Sequence, residues 1–142
     1  MKSRTESRIC ALQSLYELDL TDHLPGEVVA DRAGAMELDK TQLEFACMLT
    51  TGVREYADQL DSLIAEHAPE WPLDQVAVID RNILRLALWE VAVYRKTPLK
   101  VGINEAVELA KAFGTDSSAR FVNGVLGSLA DNIETITQTL HK

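Results

Sequence analysis

The stretch Val76–Tyr94, VAVIDRNILRLALWEVAVY, restricts the fold more than any other part of the chain. At 3.6 residues per turn it reads as one helix of about five turns. Val76, Ile79, Ile83, Leu84, Leu86, Leu88, Trp89, Val91 and Val93 surround it almost completely with apolar side chains. A helix of that kind is a buried core helix or a membrane span. A span needs roughly 20 uninterrupted apolar residues, and Asp80, Arg81, Asn82, Arg85 and Glu90 interrupt this run. The stretch is therefore expected to be the central buried helix of a soluble bundle. Arg81 and Arg85 lie one turn apart and share a face. Glu90 stands among apolar neighbours and needs donors if buried. Backbone N–H groups at the start of the next helix are the expected source.

The rest of the chain reads as helices around that centre. Ile9, Leu12, Leu15 and Tyr16 give an amphipathic stripe from about Ser3 to Leu20. Leu24-Pro25-Gly26 reads as a turn, with a short helix from Glu27 to about Ala35 and a loop over 33–39. Asp39 and Gln42 have capping-box spacing and open a long helix from Lys40 to about His67. Pro69 and Pro72 then bracket Trp71, which reads as a core plug. After Thr97-Pro98, Ile103, Ala106, Val107, Ala110 and Phe113 mark another helix, with Gly114 placed to end it at the C′ position. Asp116, Ser117 and Ser118 offer N-caps to a last helix reaching about Leu140, on which Gly124 and Gly127 would admit a close neighbour. No run alternates with period two between turn residues. The prediction is all-α, six or seven helices, a single domain over residues 1–142.

Charge limits the function. The net charge is −8, and residues 1–70 carry 6 Lys+Arg against 14 Asp+Glu, whereas residues 71–142 carry 8 against 8. Bulk electrostatics therefore disfavour nucleic acid, and any such role needs a local basic patch or a basic partner. Lys2, Arg4 and Arg8 cluster at the start of the first helix. There they oppose the helix dipole by roughly 0.3–1 kcal/mol each; they are either solvated surface or face an anion. No phosphate loop, Gly-x-Ser-x-Gly, His-Glu-x-x-His or Cys-x-x-Cys occurs. His23, His67 and His141 lie outside any metal-ligand spacing. No enzyme, cofactor or metal is expected. Cys10 and Cys47 lie in apolar helical patterns and read as buried free thiols of a reducing compartment. Met1–Arg8 is polar with no apolar segment after it, so a cytoplasmic protein without a signal peptide is expected.

Taken together, IDRNILRLALWE, Pro98, INEAVELAKAFG and FVNGVLG resemble the NusB family of bacterial transcription antitermination factors. The matching residues are Asp80-Arg81, Leu84-Arg85, Ala87, Asn104 to Lys111 and Phe121 to Leu126, and Ala11 to Leu20 resembles the family's first helix. The resemblance implies two three-helix bundles packed roughly at right angles. It also implies a scaffold without catalysis, which pairs with a small-subunit ribosomal protein (NusE), binds boxA RNA and joins RNA polymerase and other Nus factors in rRNA transcription. By the same resemblance, RNA would meet Lys2, Arg4, Arg8 and the segment Thr115, Asp116, Ser117, Ser118 and Arg120. Tyr16, Asp80 and Arg81 would face the protein partner, with Asp80 an exposed docking residue. Weak RNA binding alone and tighter, boxA-dependent binding beside a basic partner are expected. Three or four neutralised phosphates would give a log–log salt slope of about −2 to −3 on single strands. The alternative is a NusB-like interaction module or homodimer with weak or no RNA binding. RNA-methyltransferase relatives with a NusB-like domain are a third reading, against which stands the lack of a Gly-rich cofactor-binding segment before Lys142.

Overall fold

The computed structural model describes residues 3–72 and 75–141. Among the described residues there are seven helices and no strand. The chain divides into two compact units, residues 1–55 and 56–142.

The first unit holds α1 (Arg4–Leu20), α2 (Pro25–Ala35) and the first part of α3 (Lys40–His67). At the start of α1 the Ser3 backbone N–H donates to Glu6 Oε1 at 3.0 Å. The expected turn at Leu24-Pro25-Gly26 is instead the beginning of α2. Pro25 sits in its first turn, where a fixed φ suits the helix and no N–H is missed. This helix ends in a Schellman motif. Leu38 N–H bonds Ala33 O at 3.0 Å, Glu37 N–H bonds Gly34 O at 3.1 Å, and Glu37 occupies the left-handed position with φ 56°. The reciprocal cap predicted for α3 is present: Gln42 N–H donates to Asp39 Oδ1 at 2.9 Å and Asp39 N–H to Gln42 Oε1 at 3.1 Å. Cys10, Val29, Ala33 and Ala46 form a buried cluster against which Leu38 and Cys47 pack. Cys10 is fully buried as expected, and Cys47 is only partly so.

The second unit holds the rest of α3, then α4 (Val78–Trp89), α5 (Leu99–Phe113), α6 (Ser118–Ala130) and α7 (Ile133–Leu140). Of the residues expected to form the buried spine, Ile83, Leu86 and Leu88 are buried, each contributing about 1.5–3 kcal/mol, whereas Ile79 is only partly buried. The predicted single helix is not regular to its end, however. Glu90–Tyr94 widen into a π turn, closed by Arg95 N–H on Glu90 O at 3.0 Å. Arg95 then takes a left-handed φ of 67°. The Ala92 carbonyl receives the His141 Nε2–H at 2.8 Å. Beside this turn α5 comes so close that a Cβ on Gly102 would lie 2.5 Å from Val91 Cγ2.

Glu90 accepts from the Thr97 hydroxyl at 2.5 Å, a tie to the linker before α5. Three other expectations change. Gly114 is extended (φ −93°, ψ −166°), not left-handed; it is glycine because a Cβ there would lie 2.4 Å from Ser118 Cβ and Oγ. The predicted last helix is two helices, interrupted at Asp131–Asn132. Both residues have short polar side chains that compete with helical hydrogen bonding, and Asn132 Nδ2 bonds Ser128 O at 3.3 Å. Neither glycine of α6 serves close approach: a Cβ on Gly127 meets nothing within 4 Å, and one on Gly124 meets only Trp71 at 3.9 Å.

Candidate functional site

The turn between α5 and α6 is built by one serine. Thr115 N–H donates to Ser118 Oγ at 2.8 Å, and Ser118 N–H returns a bond to Thr115 O at 3.1 Å. The Ser118 hydroxyl proton goes to Asp80 Oδ2, 3.1 Å away on α4. Ser118 is 1% exposed as a result. It is an internal fastener, and the expectation that it meets an anion directly is corrected. Thr115, Asp116, Ser117 and Arg120 are exposed around it. Thr115 Oγ1 lies 3.4 Å from Ser117 Oγ. These hydroxyls stand at the N-terminus of α6, where backbone N–H groups and the helix dipole favour anions.

Asp80 requires a second correction. It is 8% exposed, which does not suit a docking residue reached from solvent. Among the described residues its Oδ1 is buried without a hydrogen-bond partner. Asp80 borders a groove of roughly 410 Å³ with Trp71, Gln75, Ser117, Arg120 and Phe121. Trp71 meets Phe121 edge to face, with centroids 5.3 Å apart and planes at 82°. Trp71 thus braces Phe121 and lines the groove, beyond the core plug the sequence suggested. Arg81 is partly buried beside Asp80. One turn on, Arg85 grips Asp61 of α3 with two bonds of 2.7 and 2.6 Å, an inter-helix pair.

In the first unit the N-terminal basic residues separate. Lys2 lies outside the described residues. Arg4 is exposed, its guanidinium 4.2 Å from the Phe45 ring centroid. Arg8 is 7% exposed, with its guanidinium 5.7 Å from the same ring. It would have to leave this packing to meet a phosphate. Farther along α1, Tyr16 (41% exposed) and Leu20 (56%) are one turn apart. Glu17 beside them holds His23 at 2.7 Å and Arg32 at 2.9 Å. The His23 bond, then Arg32, draws the Glu17 carboxyl below its ordinary pKa.

Two residues that carry the local geometry were missed. Gln42 was legible as a cap, but its side-chain amide also donates to Ser3 O at 2.8 Å and Glu6 Oε1 at 3.3 Å. The Ser7 hydroxyl donates to Gln42 O at 3.0 Å, completing the fastening of α1 to α3. Gly102 was passed over inside a clean helical stripe. Its one sequence signal was glycine at a helix position where alanine is intrinsically better.

Among the described residues no cluster of His, Cys, Asp or Glu could hold a metal, and no helix is long and apolar enough to cross a membrane. Residues 5–131 match the model of the NusB family. The chain is 50% identical over 128 residues to a transcription antitermination protein NusB of Roseiflexus sp. (strain RS-1), covering 89% of this chain and 90% of that protein. It superposes on T. maritima NusB with a TM-score of 0.83 and 31% identity, covering 92% of each chain. It also matches a chain from a crystal structure of the antitermination factors NusB and NusE in complex with double-stranded RNA. There the TM-score is 0.82 and the identity 26%, over 91% of this chain and 96% of that one. With the signature helices, the fold and these relatives in agreement, the chain belongs to the NusB family.

Proposed function

We propose that this chain is a transcription antitermination factor acting as a protein–RNA scaffold. It pairs with the ribosomal protein NusE, and the pair binds boxA RNA within an RNA polymerase complex during rRNA transcription. The observation that carries this reading is the likeness of the whole fold to the chain crystallised with NusE and RNA. The surfaces suit it. Arg4 in one unit and Arg120 in the other are exposed cations, and Thr115 and Ser117 add exposed hydroxyls at a helix N-terminus. Tyr16 and Leu20 among acidic residues suit a basic ribosomal protein, with Arg81 a further candidate for that face. The reading takes residues 1–142 as one functional domain, since the family match crosses both units. It assigns no catalysis and no cofactor, and it places the protein in the cytoplasm.

The rival reading is an interaction module or homodimer with little RNA binding, favoured by the burial of Arg8. A gel shift with boxA and scrambled RNA, with and without NusE, separates the two. The scaffold reading expects boxA-dependent binding that NusE tightens. It expects Arg120→Ala to weaken RNA binding while sparing the heterodimer, and Tyr16→Ala to weaken the heterodimer. If NusE adds no RNA affinity, the scaffold reading is wrong.

A further inference from the structure

We propose that Asp80 is a positioning residue for RNA binding: through Ser118 it fixes the shape of the Thr115–Arg120 turn from inside the protein. The inference rests on the RNA-binding reading above and deepens it.

The argument begins with one proton. A serine hydroxyl has a single hydrogen and two acceptor lone pairs. Ser118 gives that hydrogen to Asp80 Oδ2 at 3.1 Å, which leaves its oxygen free to accept the Thr115 N–H at 2.8 Å. A carboxylate acceptor polarises the hydroxyl and makes both bonds stronger than neutral ones. Thr115 Oγ1 also lies 3.2 Å from Ser118 Oγ. Without Asp80, the Ser118 hydroxyl can rotate its hydrogen toward Thr115, and the turn loses its defined donor–acceptor order. Gly114 allows the arrangement, because any side chain there would collide with Ser118. The exposed groups of the turn, Thr115, Ser117 and Arg120, therefore take their positions from a carboxylate that solvent scarcely reaches.

The first turn of α4 suits a carboxylate through the helix dipole, yet among the described residues Asp80 Oδ1 is buried without a partner, which costs free energy. Its negative charge near the turn opposes RNA. A role in orienting the turn accounts for keeping an acceptor there, and it requires the acceptor rather than the charge. Asparagine preserves an acceptor oxygen for Ser118 and removes the charge; alanine removes both.

That difference supplies the test. RNA affinity is measured by gel shift with boxA RNA and NusE for wild type, Asp80→Asn, Asp80→Ala and Ser118→Ala. Amide hydrogen exchange at Thr115 is measured on the same proteins. Positioning predicts that both alanine variants bind RNA about three- to tenfold more weakly, the scale of one ordinary hydrogen bond. It predicts that Thr115 N–H exchanges faster in both, and that Asp80→Asn binds as well as wild type or better. Pure charge repulsion predicts the opposite sign for Asp80→Ala, namely tighter binding. A docking role predicts a loss confined to NusE affinity. Either result overturns the proposal, as does unchanged Thr115 exchange in a folded Asp80→Ala, since Ser118→Ala removes the acceptor of that N–H itself. Ser118→Ala breaks the same link without disturbing the start of α4, so misfolding of Asp80→Ala alone does not decide the matter. If wild type fails to bind boxA RNA, the scaffold reading falls and the RNA role of Asp80 with it. If wild type binds and the alanine variants bind equally well, only the positioning role falls.

Discussion

Gln42 shows how much one side chain can hold in this protein. It is buried, and its amide and backbone take part in both the cap of α3 and the first turn of α1. Replacing it with alanine strands the Asp39 N–H and the Ser3 carbonyl together. The expected loss is about 1–3 kcal/mol, the sum of a cap and a part-buried hydrogen bond, read from denaturant unfolding. Gln42→Glu is the sharper variant. It keeps the acceptor for Asp39 but loses the donor to Ser3, and it sets a carboxylate where the amide now lies 3.3 Å from Glu6. Fraying should then concentrate in the first turn of α1, where Arg4 sits, and appear as faster amide exchange there with the start of α3 still protected. Equal exchange at both helix starts would mean that Gln42 acts only as a cap. The capping half of this role was legible in Asp39-x-x-Gln42. The other half was not, because its partner Ser3 is 39 residues away and no local pattern encodes such a distance. The same limit explains Asp80. At the first turn of a helix it looked exposed, and Ser118, 38 residues on, decides otherwise.

Helices were legible wherever apolar periodicity ran long enough to define a face. The bounds of α3 at Lys40 and His67 follow from a cap at one end and prolines beyond the other. The π turn at Glu90–Tyr94 was not legible, since five residues cannot reveal a change from 3.6 residues per turn to a wider winding. Glycines were misassigned for a related reason. Sequence marks a glycine but does not say what faces it. The structure reverses the expected roles, and a matched pair of variants tests this. Gly102→Ala drives a methyl against Val91 beside the π turn and should destabilise by about 1–3 kcal/mol. Gly127→Ala points into open space on an exposed helical position and should stabilise by about 0.5–1 kcal/mol. Opposite signs in thermal or denaturant unfolding support the packing described for α5 and α6. A stabilising Gly102→Ala would mean that α5 does not approach the π turn this closely.

At the scale of the whole molecule, charge decides how RNA could be held under the proposed scaffold function. The chain carries −8 overall, so binding depends on the few cations that reach the surface. The sequence offered Lys2, Arg4, Arg8 and Arg120; the burial of Arg8 removes one of them. Two or three neutralised phosphates on a single strand give a log–log salt slope of about −1.5 to −2 for the chain alone, shallower than the expectation from sequence. Arg4 and Arg120 belong to different units, which makes the slope informative beyond its size. If one RNA contacts both units, Arg4→Ala and Arg120→Ala should each reduce the slope by about 0.7, and the double variant by about 1.4. If only one unit meets RNA, one single variant is silent and the double equals the other. A wild-type slope of about −3 would mean that Arg8 leaves Phe45 to take a phosphate. In that case Arg8→Ala should also flatten the slope, whereas a buried Arg8 predicts an unchanged slope and a loss of stability instead. Adding NusE should steepen the slope, because a basic ribosomal protein brings phosphate contacts that this acidic chain lacks.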